Sequence, residues 1–263
     1  MTTTAIIRIG ARVLLLAGGI ALGIIPAVAR EEAVLVRGRE VYIAEGCINC
    51  HSQYVRPSVP EDVIWWGPVR ALASAQTEAP PLLGLRRQGP DLTNVGNRRS
   101  AEWQRLHLIA PQKLSSGSRM PSYAYLFRPG DGRGDALVAY LGTRGDDTMA
   151  ARQEQIAAWA PSPAALAAPY DEAVPRREFA LMCASCHGAE ARGDGPLAGQ
   201  LSLRPPDFSR DAWRHVRPDD AARVSAVARI IKFGLPGLPM AGHEYLDDAA
   251  VVALARYVDA LHH

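Results

Sequence analysis

The feature that most constrains this chain is a pentapeptide pattern, C-x-x-C-H, that occurs twice. Residues 47–51 read C-I-N-C-H and residues 183–187 read C-A-S-C-H, and together they use all four cysteines of the 263-residue chain. The spacing is typical of haem c attachment, because two thiols three residues apart can add to the two vinyl groups of one porphyrin. The histidine that follows then lies under the iron as proximal ligand. The pattern predicts two covalent haem c groups, held by Cys47, Cys50, His51, Cys183, Cys186 and His187.

Zinc binding or dithiol redox chemistry is the alternative reading of the paired cysteines. A four-cysteine zinc site would have to bring the two pairs together across roughly 130 residues, whereas zinc ribbons usually separate their pairs by about 15–20. Neither alternative explains a histidine after each pair. The residue pattern therefore favours haem attachment over both.

Length, repetition and the two haem motifs predict an all-α protein of two class I cytochrome c domains, preceded by an N-terminal segment that is a transmembrane helix or a signal peptide. The sequence 137–141, L-V-A-Y-L, matches 254–258, L-A-R-Y-V, near the end of each domain, which indicates an internal duplication. The formal net charge of +2 gives no indication of nucleic-acid binding. The predicted parts are a transmembrane anchor or signal peptide at 1–30, the first cytochrome c domain at 31–144, an Ala/Pro-rich linker at 145–174 and the second cytochrome c domain at 175–263.

The N-terminal apolar run, residues 13–29, has two readings. It follows Arg8 and Arg12 and ends in Ala-Val-Ala, as a cleaved signal peptide would. It is also just long enough for a membrane anchor, which needs about 17–25 largely apolar residues. Both readings put the arginine-bearing end in the cytoplasm and the haem domains outside.

The first domain offers a carbonyl partner and a sixth ligand for its haem iron. Pro90, in the sequence G-P-D-L, is predicted to accept the Nδ1–H of His51 through its carbonyl. Met120 lies in a loop and is the predicted sixth ligand, because a thioether opposite histidine suits electron transfer. His107 competes for this role, but it lies within a helix predicted over 101–109 and capped by Ser100.

The second domain repeats this order of parts. Pro206, in the sequence P-P-D-F, is the predicted carbonyl partner of His187. Met240 is the predicted sixth ligand of the second iron, with His243 as its rival. Asp219 or Asp220 is expected to cap the helix that precedes this loop.

Two connecting segments differ in predicted character. Residues 58–88 form a loop longer than most connections, and its paired Trp65 and Trp66 indicate a functional or packed segment rather than a solvated one. The linker at 145–174 is rich in alanine and proline, which predicts a semi-rigid connector with a short helix near 152–159.

The first domain also resembles a known family. Residues 41–57, V-Y-I-A-E-G-C-I-N-C-H-S-Q-Y-V-R-P, resemble the mono-haem cytochrome c subunit of cbb3-type haem–copper oxidases. So do G-P-D-L at 89–92, Trp103 with His107-Leu108, and M-P-S-Y at 120–123. The resemblance covers roughly residues 10–143, and C-H-S-Q-x-x-R-P is far longer than a haem motif alone.

This resemblance implies a subunit held by one helix in the bacterial inner membrane, with its haem domains on the periplasmic side. Cys47, Cys50, His51 and Met120 would hold the haem, and Arg56 would belong to the docking or haem-propionate region. The partners implied are the haem–copper catalytic subunit and a soluble or membrane cytochrome c donor. This chain departs from the family pattern in having a second haem domain. That domain resembles class I cytochromes and the haem domains of the oxidase's dihaem subunit.

The sequence therefore predicts an electron-transfer subunit with no catalytic residues, because methionine on both irons leaves no open coordination position. Electrons would enter at the second haem and leave through the first, which is tethered beside the bilayer. The alternatives are a free periplasmic dihaem carrier and, less favoured, a dihaem enzyme with one open or labile iron. The sequence is compatible with an acceptor that reduces either oxygen or nitric oxide.

Overall fold

The computed structural model describes residues 27–84, 86–216 and 222–261. These residues form helices and loops, with no β-strand among them and one isolated antiparallel bridge between Gly234 and Ala241. The all-α prediction is confirmed for this part of the chain. The α-helices are α1 (27–44), α2 (Pro60–Trp66), α3 (Leu72–Gln76), α4 (Ala101–Ile109), α5 (Pro111–Leu114), α6 (Arg133–Gly142), α7 (Met149–Ala158), α8 (Pro163–Ala167), α9 (Ala173–Met182), α10 (Ala184–His187), α11 (Arg223–Phe233) and α12 (Asp248–Ala260).

The predicted N-terminal anchor falls mostly outside the described residues, which include only the last part of the apolar run, at the start of α1. Within the described ranges, no helix has the length and apolar character needed to cross a membrane. The predicted caps Asp219 and Asp220 also lie outside the described residues.

The first hydrophobic core forms where α1 crosses α6. The crossing point is Gly38, where a Cβ atom would lie 2.1 Å from the carbonyl oxygen of Ala136 and 2.6 Å from Cβ of Tyr140. Glycine is therefore required for this close approach. Tyr42 packs on Tyr140 with ring centroids 6.0 Å apart. The buried members of this core are Val41, Tyr42, Leu82, Val95, Leu108, Leu126, Leu137, Val138, Tyr140 and Leu141.

The second core repeats this arrangement with α9 and α12, and α11 lies along α12. Phe179 meets Tyr257 edge to face, with centroids 5.5 Å apart. Aromatic pairs of this geometry stabilise a core beyond the area they bury. The buried members are Phe179, Ala191, Val216, Val227, Ala228, Ile231, Val251, Leu254, Ala255, Tyr257 and Val258.

Helix starts follow the local sequence. Ser100 caps α4 by accepting a hydrogen bond from the Trp103 amide, so the predicted helix at 101–109 is confirmed. Asp247 caps α12 in the same way, through the amide of Ala250. Pro111 follows the end of α4 and is the first residue of α5, because proline fits the first turn of a helix.

The segment predicted as a connector, 145–174, is packed against the second core. Trp159, just after α7, meets Phe233 edge to face at 5.4 Å. The amide of Ser162 donates to Asp248 at 3.2 Å, and Arg256 donates to the carbonyl of Ala168 at 2.9 Å. Contacts with both α11 and α12 hold this segment in place, so it is structured beyond the short helix that was predicted.

The long loop at 58–88 is also folded onto the first domain. Trp65 and Trp66 pack on each other at 5.6 Å. Their carbonyls accept hydrogen bonds from Arg98 at 3.4 Å and from Asn94 at 2.8 Å. These contacts place the loop beside the segment that follows Pro90.

Candidate haem sites

The first cysteine motif begins one residue after a left-handed glycine. Helix α1 ends at residue 44, and Gly46 with φ of 72° redirects the chain into a 3-10 turn at Cys47–Asn49. The amide of His51 donates to the carbonyl of Cys47 at 2.9 Å and fixes the histidine close to the thiols. Cys47 and Cys50 are both free thiols, and burial raises the pKa of Cys47 to about 12.

The ring of His51 is held by the predicted backbone contact. Its Nδ1 lies 2.8 Å from the carbonyl oxygen of Pro90, which leaves Nε2 for a metal. Gly89 makes this possible, because a Cβ atom there would lie 2.2 Å from Cε1 of His51. Burial lowers the pKa of His51, which favours the neutral imidazole that binds iron.

Asp91 ties the Pro90 loop to the chain that follows His51. Its carboxylate accepts hydrogen bonds from the Ser52 hydroxyl, from the Tyr54 amide at 3.0 Å and from the Thr93 amide at 2.8 Å. The next residue of the motif, Gln53, accepts from the hydroxyl of Tyr140 at 2.9 Å. The residues beyond the C-x-x-C-H pattern therefore have structural roles of their own.

Both sixth-ligand candidates of the first domain lie beside its core. Met120 is half-buried and packs on the core cluster, to whose edge Cys47 and Ile48 also belong. His107 stacks on Trp103 at 4.6 Å, and its buried Nδ1 has no hydrogen-bond partner. Burial and the neighbouring His51 lower the pKa of His107 to about 4. The assignment of Met120 stays a prediction.

Arg56 pairs with a carboxylate in this structure. Its Nε lies 2.6 Å from Oδ2 of the buried Asp62, which Arg87 also contacts at 3.1 Å. The Arg56 side chain remains 43% exposed. A separate cavity of about 330 Å³ opens beside Cys50 and is lined by Asn49, Cys50, Arg86 and Gln88.

The second motif follows its helix without an intervening glycine. Helix α9 ends at Met182, and α10 runs from Ala184 to His187. Cys183 and Cys186 are free thiols, and burial raises the pKa of Cys183 to about 12.

His187 is held differently from His51, and the prediction for Pro206 is not met. The ring of His187 stacks on Phe208 at 4.9 Å, and its buried Nδ1 has no hydrogen-bond partner. The reason is local: the carboxylate of Asp207 turns back to the amide and hydroxyl of Ser209, at 3.0 and 2.6 Å. The Pro206 carbonyl oxygen lies near Gly193, at 3.1 Å from where a Cβ atom on that residue would be.

Met240 and His243 lie on one loop after α11. The loop is closed by the Leu235 amide, which donates to the carbonyl of Met240 at 3.0 Å, and Met240 is half-buried. His243 is 3.2 Å from the hydroxyl of Tyr245. Burial, together with its neighbour His243, lowers the pKa of His187 to about 4. The Tyr245 hydroxyl also donates to the sulfur of Met182 at 3.3 Å, so His243 lies beside the end of α9, and Met240 stays a prediction.

The four cysteines do not form a zinc site. Among the described residues, which include every cysteine, no group of three or more histidine, cysteine or acidic side chains could hold a metal ion. The donor set does fit haem c: each site has two free thiols, an adjacent half-buried histidine and, in the same domain, a loop with a half-buried methionine. Two such sites on two helical cores define a c-type cytochrome with two haem domains.

Sequence comparison gives the particular kind of cytochrome. Residues 6–133 match the family described as cytochrome c oxidase, mono-haem subunit/FixO. Residues 171–258 match cytochrome c oxidase, cbb3-type, subunit III. The chain is a FixO-like cytochrome c subunit of the cbb3 oxidase type that carries a second cytochrome c domain, and the two domains imply two covalently bound haem c groups.

Two further comparisons add little. No curated protein matches the chain significantly. Among solved structures, the Kuenenia stuttgartiensis reducing HAO-like protein complex Kustc0457/Kustc0458 is 17% identical, covers 86% of this chain and 96% of its own, and has a TM-score of 0.32. A likeness this low carries no argument about fold or function.

Sequence reasoning missed several residues around these sites. Phe208, two residues after the predicted Pro206, stacks on His187. The sequence signal for this contact was an aromatic residue at that position. Arg99 and Glu244 form an ion pair at 3.2 Å across 145 residues. Nothing in the local pattern of either residue marks that pairing.

Proposed function

We propose that this chain relays electrons to the catalytic subunit of a cbb3-type terminal oxidase. The observation that carries the proposal is the extended motif C-H-S-Q-Y-V-R-P, which lies inside the FixO match. Ser52 and Tyr54 bond to Asp91, Gln53 bonds to Tyr140, and Arg56 bonds to Asp62. A generic haem c motif would need none of these contacts, which supports a specialised first domain.

The chain's own residues hold and orient the two haem groups. When bound, each haem iron supplies one-electron redox chemistry. In the first domain, Cys47 and Cys50 form the thioether bonds, His51 and Met120 bind the iron, and the Pro90 carbonyl fixes the His51 ring. In the second domain, the corresponding residues are Cys183, Cys186, His187 and Met240.

Location and partners follow from the same proposal. An N-terminal helix holds the chain in the bacterial inner membrane, and both haem domains lie on the periplasmic side. A cytochrome c donor delivers electrons to the second domain, and the first domain passes them to the haem–copper catalytic subunit. The exposed part of Arg56 lies beside the FixO-specific segment and is suited to contact that subunit.

The test is affinity isolation of the tagged full chain from detergent-solubilised native membranes, followed by mass spectrometry. A large polytopic haem subunit with copper is expected to co-purify. The double variant Cys183→Ala/Cys186→Ala, which loses only the second attachment site, should retain that partner. Recovery of the chain alone in the soluble periplasmic fraction, shortened at its N-terminus, would instead identify a mobile dihaem carrier.

A further inference from the structure

One arginine of the first domain forms hydrogen bonds with the loop that follows α11 in the second domain. Arg99 lies just before Ser100, the cap of α4, and donates to the carbonyl of Gly242 at 2.7 Å. It also reaches the carboxylate of Glu244 at 3.2 and 3.5 Å. This loop carries Met240 and His243, the two candidates for the sixth ligand of the second iron. The contacts of Arg99 therefore lie beside the second haem site.

Glu244 depends on arginines from outside its own domain. It is 2% exposed, and an isolated carboxylate so buried would be strongly unfavourable. Arg152 of α7, itself 1% exposed, donates to it at 2.7 Å. The guanidinium of Arg152 also lies 5.0 Å from the ring centroid of Phe233, next to the loop. One carboxylate is thus shared by the first domain, the linker and the second domain.

The loop itself has little freedom to move. The amide of His243 donates to the carbonyl of Ile231 at 2.9 Å. A Cβ atom at Gly242 would lie 2.5 Å from the carbonyl carbon of Phe233, so the backbone packs directly on the end of α11. The hydrogen bond from Arg99 to Gly242 therefore also restrains the neighbouring residues of the loop.

Aromatic side chains fill the space between Arg99 and the first haem site. The guanidinium of Arg99 lies over the Trp103 ring at 5.2 Å. Trp103 in turn stacks on His107 at 4.6 Å with an interplanar angle of 11°. Stacked groups therefore run from the loop of the second site, through Arg99 and Trp103, to His107 of the first domain.

Two further contacts hold the same faces together. Glu102 accepts hydrogen bonds from the amide and the hydroxyl of Ser202, at 2.5 and 2.7 Å. Helix α5 lies beside α10, the helix that contains Cys186 and His187. The first domain thus touches the second at the haem motif, at Ser202 and at the sixth-ligand loop.

We propose that Arg99 is a positioning residue that clamps the sixth-ligand loop of the second haem site onto the first domain. The two haem sites then stay at one separation, and a single electron passes from the reduced second site to the oxidised first site past the Trp103–His107 stack. This differs from transfer by a second domain that swings on its linker. The proposal rests on the proposed function only in taking both sites to hold haem.

The test uses the full-length chain with both haems and no oxidase. Arg99→Gln removes the charge, Arg99→Lys restores it, and Arg105→Gln is the matched control, because Arg105 lies on α4, which begins two residues after Arg99, and forms an exposed pair with Asp135. The readouts are the rate of electron transfer between the sites after flash photoreduction and the Met-to-iron charge-transfer band of the second haem. We expect Arg99→Gln to slow transfer by about tenfold or more and to weaken that band. Arg99→Lys should recover part of both, and Arg105→Gln should match the wild type.

An unchanged rate and an unchanged band in Arg99→Gln, with both haems bound, would overturn the proposal. If Arg99→Gln loses a haem, Glu102→Gln carries the test at the exposed edge of the same contact. That variant should slow transfer by about twofold, and a wild-type rate would overturn the clamp. Since the measurement needs no oxidase, failure to co-purify the catalytic subunit would reject the proposed function and leave this result standing.

Discussion

The two haem domains share a frame and differ in how they hold the proximal histidine. In both, a helix leads into the motif and crosses the last helix of the domain through an aromatic pair, Tyr42 with Tyr140 and Phe179 with Tyr257. In the first domain a hydrogen bond to a backbone carbonyl orients His51. In the second, a stacked ring contacts the histidine and its Nδ1 has no partner.

The difference originates in two aspartates at matching places in the sequence. Asp91 reaches across to Ser52 and Tyr54, and so pulls the Pro90 carbonyl against His51. The carboxylate of Asp207 bonds to Ser209 two residues away, and the contact of its loop with the motif is instead the stacking of Phe208 on His187. The two matching aspartates therefore differ in how far their hydrogen bonds reach along the chain. Of the two proximal histidines, only His51 has its ring held by a hydrogen bond.

The largest effect is expected at the aromatic crossing of the second domain. Phe179→Ala removes a buried ring and should lower the free energy of unfolding of this domain by about 3–5 kcal/mol. Leu181→Ala, on the same helix but exposed, should change it by less than about 0.5 kcal/mol. Chemical denaturation followed by circular dichroism measures both. Equal losses in the two variants would contradict the crossing as the centre of this core.

The two aspartates give the next largest contrast. Asp91→Ala leaves the Thr93 and Tyr54 amides without their acceptor and should cost about 3 kcal/mol of unfolding free energy. Asp207→Ala loses a local turn contact and should cost about 1 kcal/mol. The absorption spectrum of each haem reports the same difference, since only Asp91→Ala should disturb its proximal histidine. Similar costs in both variants would remove the distinction between the domains.

Gly89→Ala sharpens the comparison at a single atom. The added methyl would lie 2.2 Å from Cε1 of His51, so the ring or the loop must move, at a cost of about 2 kcal/mol. Gly199→Ala in the second domain is the control, because a Cβ atom there meets nothing within 4 Å. Resonance Raman spectra should show weakened iron–histidine ligation in the first variant alone. A native spectrum in Gly89→Ala would argue that Pro90 does not orient His51.

The smallest effect concerns pH and the first domain only. In that domain, the hydrogen bond from Arg56 lowers the pKa of Asp62. The Asp62 carboxylate therefore stabilises the fold at pH values above the pKa of an unfolded aspartate, about 3.9. That stability is lost as pH falls from about 5 toward the lowered folded value. Asp62→Asn should therefore be less stable than the wild type at pH 7, by about 1 kcal/mol or less, and the gap should close in acid. A gap that stays constant down to pH 2 would contradict this role.

The sequence was sufficient wherever the signal was local. The thiol spacing defined both haem motifs, Ser100 marked the start of α4, and the G-P-D-L motif correctly indicated the contact between Pro90 and His51. Each of these depends on backbone geometry within a few residues or on a pattern shared with a known family.

The failures came from contacts between distant residues. Pro206 was assigned by analogy with Pro90, but the analogy omitted the side-chain bonds of Asp91 on which it depends. In the linker, the expected short helix is present as α7, but its contacts with the second domain were not predictable: Trp159 packs on Phe233 and Arg152 reaches Glu244. Composition cannot show which distant surface a segment will meet.

The most direct test of the account is the order in which the two haems lose their electrons. The isolated oxidase complex is fully reduced, mixed with oxygen and followed by rapid spectroscopy, beside a complex that carries Cys183→Ala/Cys186→Ala and so lacks the second haem. The account predicts that the first-domain haem is oxidised first in both complexes, and that the second follows in the wild type. Prompt oxidation of the second haem ahead of the first, or no oxidation of the first haem in the variant, would contradict a relay that ends at the first domain.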